Sequence, residues 1–259
     1  MSFNAPGFSG RAFERLVTEA RPHVFALQEV TVQATPPSGQ VQGGGLVVVP
    51  ALLGRGYGLS RLAGDAYAPV REPIFSLLEP AGPAQLVAGY PQEGLWRSGG
   101  ITRSLYHWQG RVIAVYSVHM HSFSGERPWK RVGGERHVFS LSAWYRALRS
   151  YRADFRIRAE QAREFRRVLE SEPHPFIVCG DLNSTPYHWA YAHLAAPLQD
   201  AFKGAGSGWG GTYHARLPLV RIDYVLASKE WEVRAARVDK NVASDHRPLV
   251  AELALRPQE

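Results

Sequence analysis

The sequence carries one cysteine, Cys179, in 259 residues. That excludes a disulfide framework and any multi-cysteine zinc site. It also lacks an uncharged apolar run approaching the ~18 residues that a membrane-spanning helix needs. The opening MSFNAPGFSGR has neither a basic start nor an apolar stretch, so it does not read as a secretory signal. Internal repeats, low-complexity tracts and dividing linkers are missing as well, and residues 1–259 read as one domain. What is present is an ordinary globular balance, 45% hydrophobic and 20% charged, at a length that can bury a sizeable core. Disordered, collagen-like and coiled-coil chains are thereby excluded. Ten histidines and several spaced acids leave an oxygen- or nitrogen-ligated metal open.

The net charge of +7 is not evenly spread. Residues 127–167 hold 12 basic and four acidic side chains, a local +8, so the rest of the chain is at −1. Such a stripe, Arg146, Arg149 and Arg152 among it, suits a polyanion, either nucleic acid or an anionic lipid surface. The alternative is an arginine-rich solvated helix face.

Glycine and proline punctuate short elements throughout. A helix is expected from Ser9 or Gly10, with Phe13, Leu16, Val17 and Ala20 on one face and Pro22 at its end. VFALQEV (24–30), LVVVP (46–50), IFSLL (74–78) and AQLVAG (84–89) read as strands. ITRSLYHW and RVIAVYSVHM read as a hairpin closed by Gln109-Gly110. A helical pattern covers 138–169, with Ala162, Phe165, Val168 and Leu169 as its apolar stripe. PFIVCGDLN (175–183) is again a strand, and a short helix is expected over 187–194. RIDYVLAS, WEVRAARV and RPLVAELAL close the chain as strands, giving an α/β layered fold whose sheets are covered on both faces.

Polar residues gather at the ends of these strands. Asn4 ends the first, Glu29 the second and His119 the hairpin. Asp181 and Asn183 follow FIVCG, Asp223 sits in RIDYVL, and Asp245-His246 precede the last strand. Side chains two apart in extended chain share a face, so Asp181 and Asn183 are expected to serve one site. Strand ends are where α/β sheets collect ligand-binding groups. Carboxylates with an asparagine, and no thiol, are what a hard divalent cation such as Mg²⁺ or Mn²⁺ prefers.

LQEV, GDLN, RIDYVLAS and SDHRPLVAEL, in this order, resemble the signatures of the endonuclease/exonuclease/phosphatase superfamily, the DNase I-like fold. The Asn of MSFN and the VHM of YSVHM match its first-strand Asn and central His motif. The stretch from RIRAEQAREF to RIDYVLAS is especially similar to a bacterial branch that often carries this domain behind membrane helices. The resemblance implies a four-layer sandwich, two mixed β-sheets flanked by helices. It implies Glu29 and Asn4 at the metal, with Asp245 completing that site or the leaving-group site. Asp181 would orient or deprotonate the attacking water, Asn183 hold that water or a phosphate oxygen, and His119 contact a phosphate oxygen. Asp223 would hydrogen-bond His246, which binds the scissile phosphate as a cation or shuttles a proton. The reaction implied is metal-dependent phosphodiester hydrolysis, with DNA as the leading substrate and a phospholipid or phosphoinositide ester as the alternative. A non-catalytic polyanion-binding module is the reading from a different class. Location stays open between the cytoplasm and a domain of a membrane-anchored bacterial protein, and nothing specifies a protein partner.

The chain departs from its relatives in places. IFSLLEP lacks the Ser-Arg that many carry, no carboxylate partner for His119 stands out, and only three residues precede Asn4, so the first strand is clipped or the natural protein continues upstream. Arg103 is a candidate phosphate contact, though it reads equally, and slightly better, as an ordinary strand arginine. Tyr213, His214, Trp189 and Trp209 are candidates to line a substrate pocket, Trp189 also being suited to pack its helix. Trp129, Phe139, Trp144, Tyr145 and Tyr151 accompany the arginines, either packed inward or free to stack bases or enter a lipid interface.

Overall fold

A computed structural model describes residues 1–5, 10–34, 41–42, 52–62, 70–89, 95–96, 99–123, 125, 128, 139–240 and 244–257. The expected strand 46–50 and Trp129 lie outside the described residues. One six-stranded sheet runs β14 (Trp231–Val238), β15 (Leu249–Leu255), β1 (Ser2–Asn4), β2 (Val24–Gln28), β7 (Ile74–Ser76), β5 (Gly58–Leu59). The other runs β12 (Gln199–Asp200), β13 (Asp223–Ala227), β11 (Phe176–Asp181), β10 (Arg111–His119), β9 (Gly100–Trp108), β8 (Gln85–Gly89). A small ribbon joins β4 (Val41–Gln42), β3 (Thr31–Ala34) and β6 (Val70–Arg71). Both large sheets are mixed, with β1 parallel to β2 and β10 parallel to β11 among antiparallel neighbours. Among the described residues the helices with full bounds are α1 (Gly10–Ala20), α2 (Leu141–Glu170), α3 (Trp189–Ala195) and α4 (Ala201–Ala205).

Four layers follow from which faces are apolar. The stripe of α1, Phe13, Leu16 and Val17, packs on Phe3, Phe25 and Leu27 of the first sheet. Ala26, Leu249, Cys179 and Val225 meet between the two sheets, as do Ile74, Ile113, Val115 and Trp231. Ala162, Phe165 and Leu169 of α2, with Leu194 of α3, cover the outer face of the second sheet. Cys179 is thus a core residue. The hairpin turn is where the sequence put it, with both Gln109 and Gly110 at positive φ, 50° and 75°.

Strand register carries the site. His119 lies opposite Asp181 across β10–β11, and Asp181 lies opposite Asp223 across β11–β13. Three strand ends therefore place three polar side chains at one edge. Glycine makes the close packing there feasible, since a Cβ at Gly180 would run into the Val118 carbonyl.

Arg103 is engaged away from this edge. Its Nε and Nη2 donate to Glu172 at 2.7 and 3.0 Å, and its Nη1 donates to Gln85 at 3.1 Å. Tyr116 donates to the same carboxylate at 2.6 Å. Of its two readings the contacts agree with the strand arginine, which forms a buried brace between the sheet and the segment just after α2. Burial pushes the Glu172 carboxyl up, but the Arg103 and Tyr116 hydrogen bonds outweigh it and hold it below the ordinary value. Its contribution is therefore present above the ordinary carboxylate range and lost as pH falls. Arg103→Met should cost about 3 kcal/mol, because it strands a buried carboxylate. Thermal melts should show wild type losing stability below about pH 5 and the variant losing less of it. Equal acid sensitivity in both would refute this account of the brace.

No helix among the described residues is long and apolar enough to cross a membrane. At ~1.5 Å per residue, the 30-residue α2 is ~45 Å long. The α2 residues that pack on the sheet, Ala162, Phe165, Val168 and Leu169, all come from its C-terminal half.

Candidate active site

The end of β1 meets the end of β11 through one side chain. Asn4 Nδ2 donates to Glu29 Oε1 at 3.0 Å and to Asp181 Oδ2 at 2.9 Å. Asn4 is fully buried, so its amide fixes a carboxylate from each sheet in one place. Its own Oδ1 is buried without a hydrogen-bond partner among the described residues. His119 stands between two glutamates, with Nε2 3.5 Å from Glu29 and Nδ1 3.6 Å from Glu72. One ligand-capable atom from each of Glu29, His119 and Asp181 lies within 4.8 Å of the others.

On the other side of Asp181 is the end of β13. His246 Nδ1 pairs with Asp223 Oδ2 at 2.9 Å, and its Nε2 faces Asp181 Oδ2 at 3.9 Å. A carboxylate only accepts, so Asp223 fixes the proton on Nδ1 and turns Nε2 toward the site. Thr212 Oγ1 accepts from the amides of Ile222 and Asp223, and the Tyr213 ring packs 4.9 Å from the His246 ring. The Ala215 amide donates to the Asp245 carbonyl and the Arg247 amide to the Thr212 carbonyl, which latches the two loops together.

Electrostatics sort these groups. Burial alone would lower the His246 imidazole, but the Asp223 charge and hydrogen bond, with Asp181 and Asp245, raise it to about 10. His119 is likewise buried, yet Glu72, Asp181 and Glu29 raise it to about 9. Asp181 is raised to about 6 by burial and the nearby Asp223 charge, against the two histidines. The arrangement puts a carboxylate of near-neutral basicity beside two cationic imidazoles.

The expected residues are not all placed as foreseen. Asn183 does not continue an extended chain. It sits at φ 45°, its amide donates to Asp181 Oδ1 at 2.7 Å, and its Nδ2 donates to the Met120 carbonyl at 2.9 Å. It joins Asp181 through a turn, not through strand alternation. Asp245 is exposed, and its carboxylate accepts from Ser244 Oγ at 3.1 Å. Its charge reaches His246, but it is outside both convergent acid–histidine groups among the described residues. Arg146, Arg149 and Arg152 lie exposed on α2, remote in sequence from the strand ends, and Tyr213 is the pocket-lining candidate that reaches His246. Trp189 stacks on His193 of its own helix at 4.4 Å, and the Trp209 ring donates to the Leu219 carbonyl.

Two contributions had no signal strong enough to single them out. Glu72 is the missing partner of His119, and its Oε2 also accepts from the Glu29 amide at 3.0 Å. His121 is held on three sides by one face of α2. Its ring Nε2 meets Asp154 at 2.7 Å, its carbonyl accepts from Arg158 and its amide donates to Gln161. The 154, 158, 161 spacing is the helical face signal that could have found this clamp.

The residues fit a hard cation by their chemistry. Glu29 and Asp181 offer oxygens oriented by one amide, Asn4 holds a further buried oxygen, and no thiol is near. A model of the Endonuclease/Exonuclease/phosphatase family matches residues 1–246. The chain belongs to this family. A search of curated proteins finds no match. Among solved structures, this family member is similar to an endonuclease/exonuclease/phosphatase family protein from Leptotrichia buccalis, at TM-score 0.66 and 15% identity over 98% of both chains. It is also similar to the mannosyl-6-phosphatase of Bacteroides thetaiotaomicron, at 0.60 and 14% over 98% of both. The humanized D. rerio TDP2 is similar at 0.62 and 13%, again over 98% of both. The shared fold agrees with the two mixed sheets and flanking helices described above.

Proposed function

We propose that this family member is a divalent-metal-dependent phosphodiesterase, with residues 1–259 acting as one catalytic domain. The observation that carries the reading is Asp181, bonded to Asn4 on one side and faced by the Asp223-held His246 on the other. Mg²⁺ or Mn²⁺, held by Glu29 and Asp181 with Asn4, would neutralise phosphoryl charge when bound. Asp181 orients or deprotonates the attacking water, and Asn183 fixes the Asp181 carboxylate from below. His246 presents its Nε2 proton to a phosphoryl oxygen or to the leaving oxygen. His119, kept cationic by Glu72, offers a second positive group to the same anion. A binding module would have no use for the buried Asp223–His246 pair, whose assembly supports catalysis over mere polyanion binding.

DNA as substrate is supported by the exposed Arg146, Arg149 and Arg152. A phospholipid ester is the second reading, supported by the apolar side chains exposed between those arginines. The test is a panel of a soluble phosphodiester, a soluble phosphomonoester, single- and double-stranded DNA, and phospholipids, each with Mg²⁺, Mn²⁺ or EDTA. Metal-dependent cleavage of a phosphodiester is the expected result. Full activity in EDTA, or cleavage of phosphomonoesters alone, would reject the reading.

A further inference from the structure

The N-terminal half of α2 is unlike the half that covers the sheet. Phe139 just before it is 98% exposed, Leu141 87%, Tyr145 67% and Leu148 64%. Trp144 and Tyr151 are exposed as well. Of the two alternatives for these aromatics, inward packing fails for Phe139 and Tyr145, while Tyr151 keeps ring contacts with Phe123 and Phe155 and is still partly open to solvent. At 100° per residue, Leu141, Trp144, Tyr145, Leu148 and Tyr151 fall in a sector of about 120°. Arg152 sits within that sector, with Arg149 and Arg156 at its border. The buried side chains of this half, Ala143, Ala147 and Asp154, lie on another face.

Charge on this half is one-signed. Residues 139–159 contain five arginines and a single acid; Arg158 and Asp154 are both buried at His121, which leaves Arg146, Arg149, Arg152 and Arg156 as the exposed charges. An exposed apolar sector edged by arginines is costly in water and needs a partner with both an apolar layer and a negative surface. Duplex DNA supplies the negative surface, but leucine and phenylalanine gain little beside phosphates. An anionic bilayer supplies both, since its headgroups take the arginines and its acyl boundary takes the leucines and aromatic rings.

We infer that the N-terminal half of α2 is an interfacial helix that docks the protein on an anionic lipid bilayer. This surface takes up Arg149 and Arg152, two of the arginines that support the DNA reading, so arginine-dependent DNA binding is its competing outcome. Hydrolysis of a soluble phosphodiester does not depend on it. Its position gives the docking a consequence for catalysis. Tyr151 contacts Phe123 at 5.0 Å and Phe155 contacts His188 at 4.6 Å, so the helix runs beside the loops that follow β10 and β11. Those loops flank His119 and Asp181, and a bilayer met by this half of α2 lies alongside the active-site edge.

The test uses the full chain with vesicles of phosphatidylcholine alone or mixed with phosphatidylglycerol, read by co-sedimentation. Binding to the anionic vesicles and little to the neutral ones is expected. Arg149→Gln, Arg152→Gln and Arg156→Gln together should weaken it roughly a hundredfold, about fivefold for each arginine. Tyr145→Gln with Leu148→Gln should weaken it by about tenfold or more, because apolar burial is lost. That double variant should keep the melting temperature and the hydrolysis of a soluble phosphodiester, so a failed catalytic reading is told apart from a failed docking reading. Failure to bind anionic vesicles overturns the inference. So does vesicle binding that the Tyr145 and Leu148 changes leave intact, or tight duplex DNA binding that depends on the arginines alone.

Discussion

Asp223→Asn should cut turnover of a soluble phosphodiester by about 10²- to 10⁴-fold, the range spanned by loss of a positioned proton-transfer group. The reason lies in the 2.9 Å contact with His246 Nδ1. Asparagine removes the charge that keeps the imidazole protonated and offers Nδ1 either a donor or an acceptor, so Nε2 no longer faces Asp181 in one defined state. His246→Gln should lose about as much. Because the two act as one unit, the double variant should be no worse than either single change. Steady-state kinetics of the three variants check this. Multiplying losses, or an Asp223→Asn enzyme close to wild type, would mean that the pair is an architectural ion pair only.

Glu29→Gln should act on the metal and not on the fold. Glu29 is exposed and receives one Asn4 hydrogen bond, so its replacement by an isosteric amide leaves packing untouched. The Mg²⁺ or Mn²⁺ concentration for half-maximal activity should rise roughly 10²-fold or more, since even outer partners of metal ligands are worth 10- to 100-fold. Calorimetric titration with the metal should move in parallel. Asp245→Asn in the same titration separates the two acids assigned to the metal from sequence. A Glu29→Gln protein with unaltered metal affinity would place the cation elsewhere.

Asn4, Glu29, His119, Asp181, Asp223 and His246 were legible because each ends or flanks an apolar strand, where a polar residue has no packing reason to be. The family resemblance then gave each a role. Glu72 was not legible. It pairs with a histidine 47 residues away and stands at φ 51°, outside the helix and strand regions on which pattern reading depends. Glu29 and Asn183 share this left-handed geometry at 58° and 45°, which is why alternation misplaced Asn183. Such backbone is costly by about 1–3 kcal/mol at a non-glycine residue and tends to gather at functional sites. Arg103 was ambiguous for another reason, since a strand arginine looks the same whether it meets a phosphate or a buried glutamate. The exposure of the α2 aromatics depends on how far a long helix overruns the sheet, and side-chain periodicity does not report that.

The hydrogen bond from Asn4 to Asp181 spans 177 positions of the chain, and His246 comes from the last stretch before β15. A contact so distant cannot form until the intervening loop is closed, and closing it costs chain entropy with no local reward. The hairpin β9–β10 and helix α2 need only neighbours and can arise early. Catalytic competence should therefore be among the last properties to return during refolding, trailing the recovery of secondary structure. Activity then reports that segments as far apart as Asn4 and His246 have found one another around Asp181.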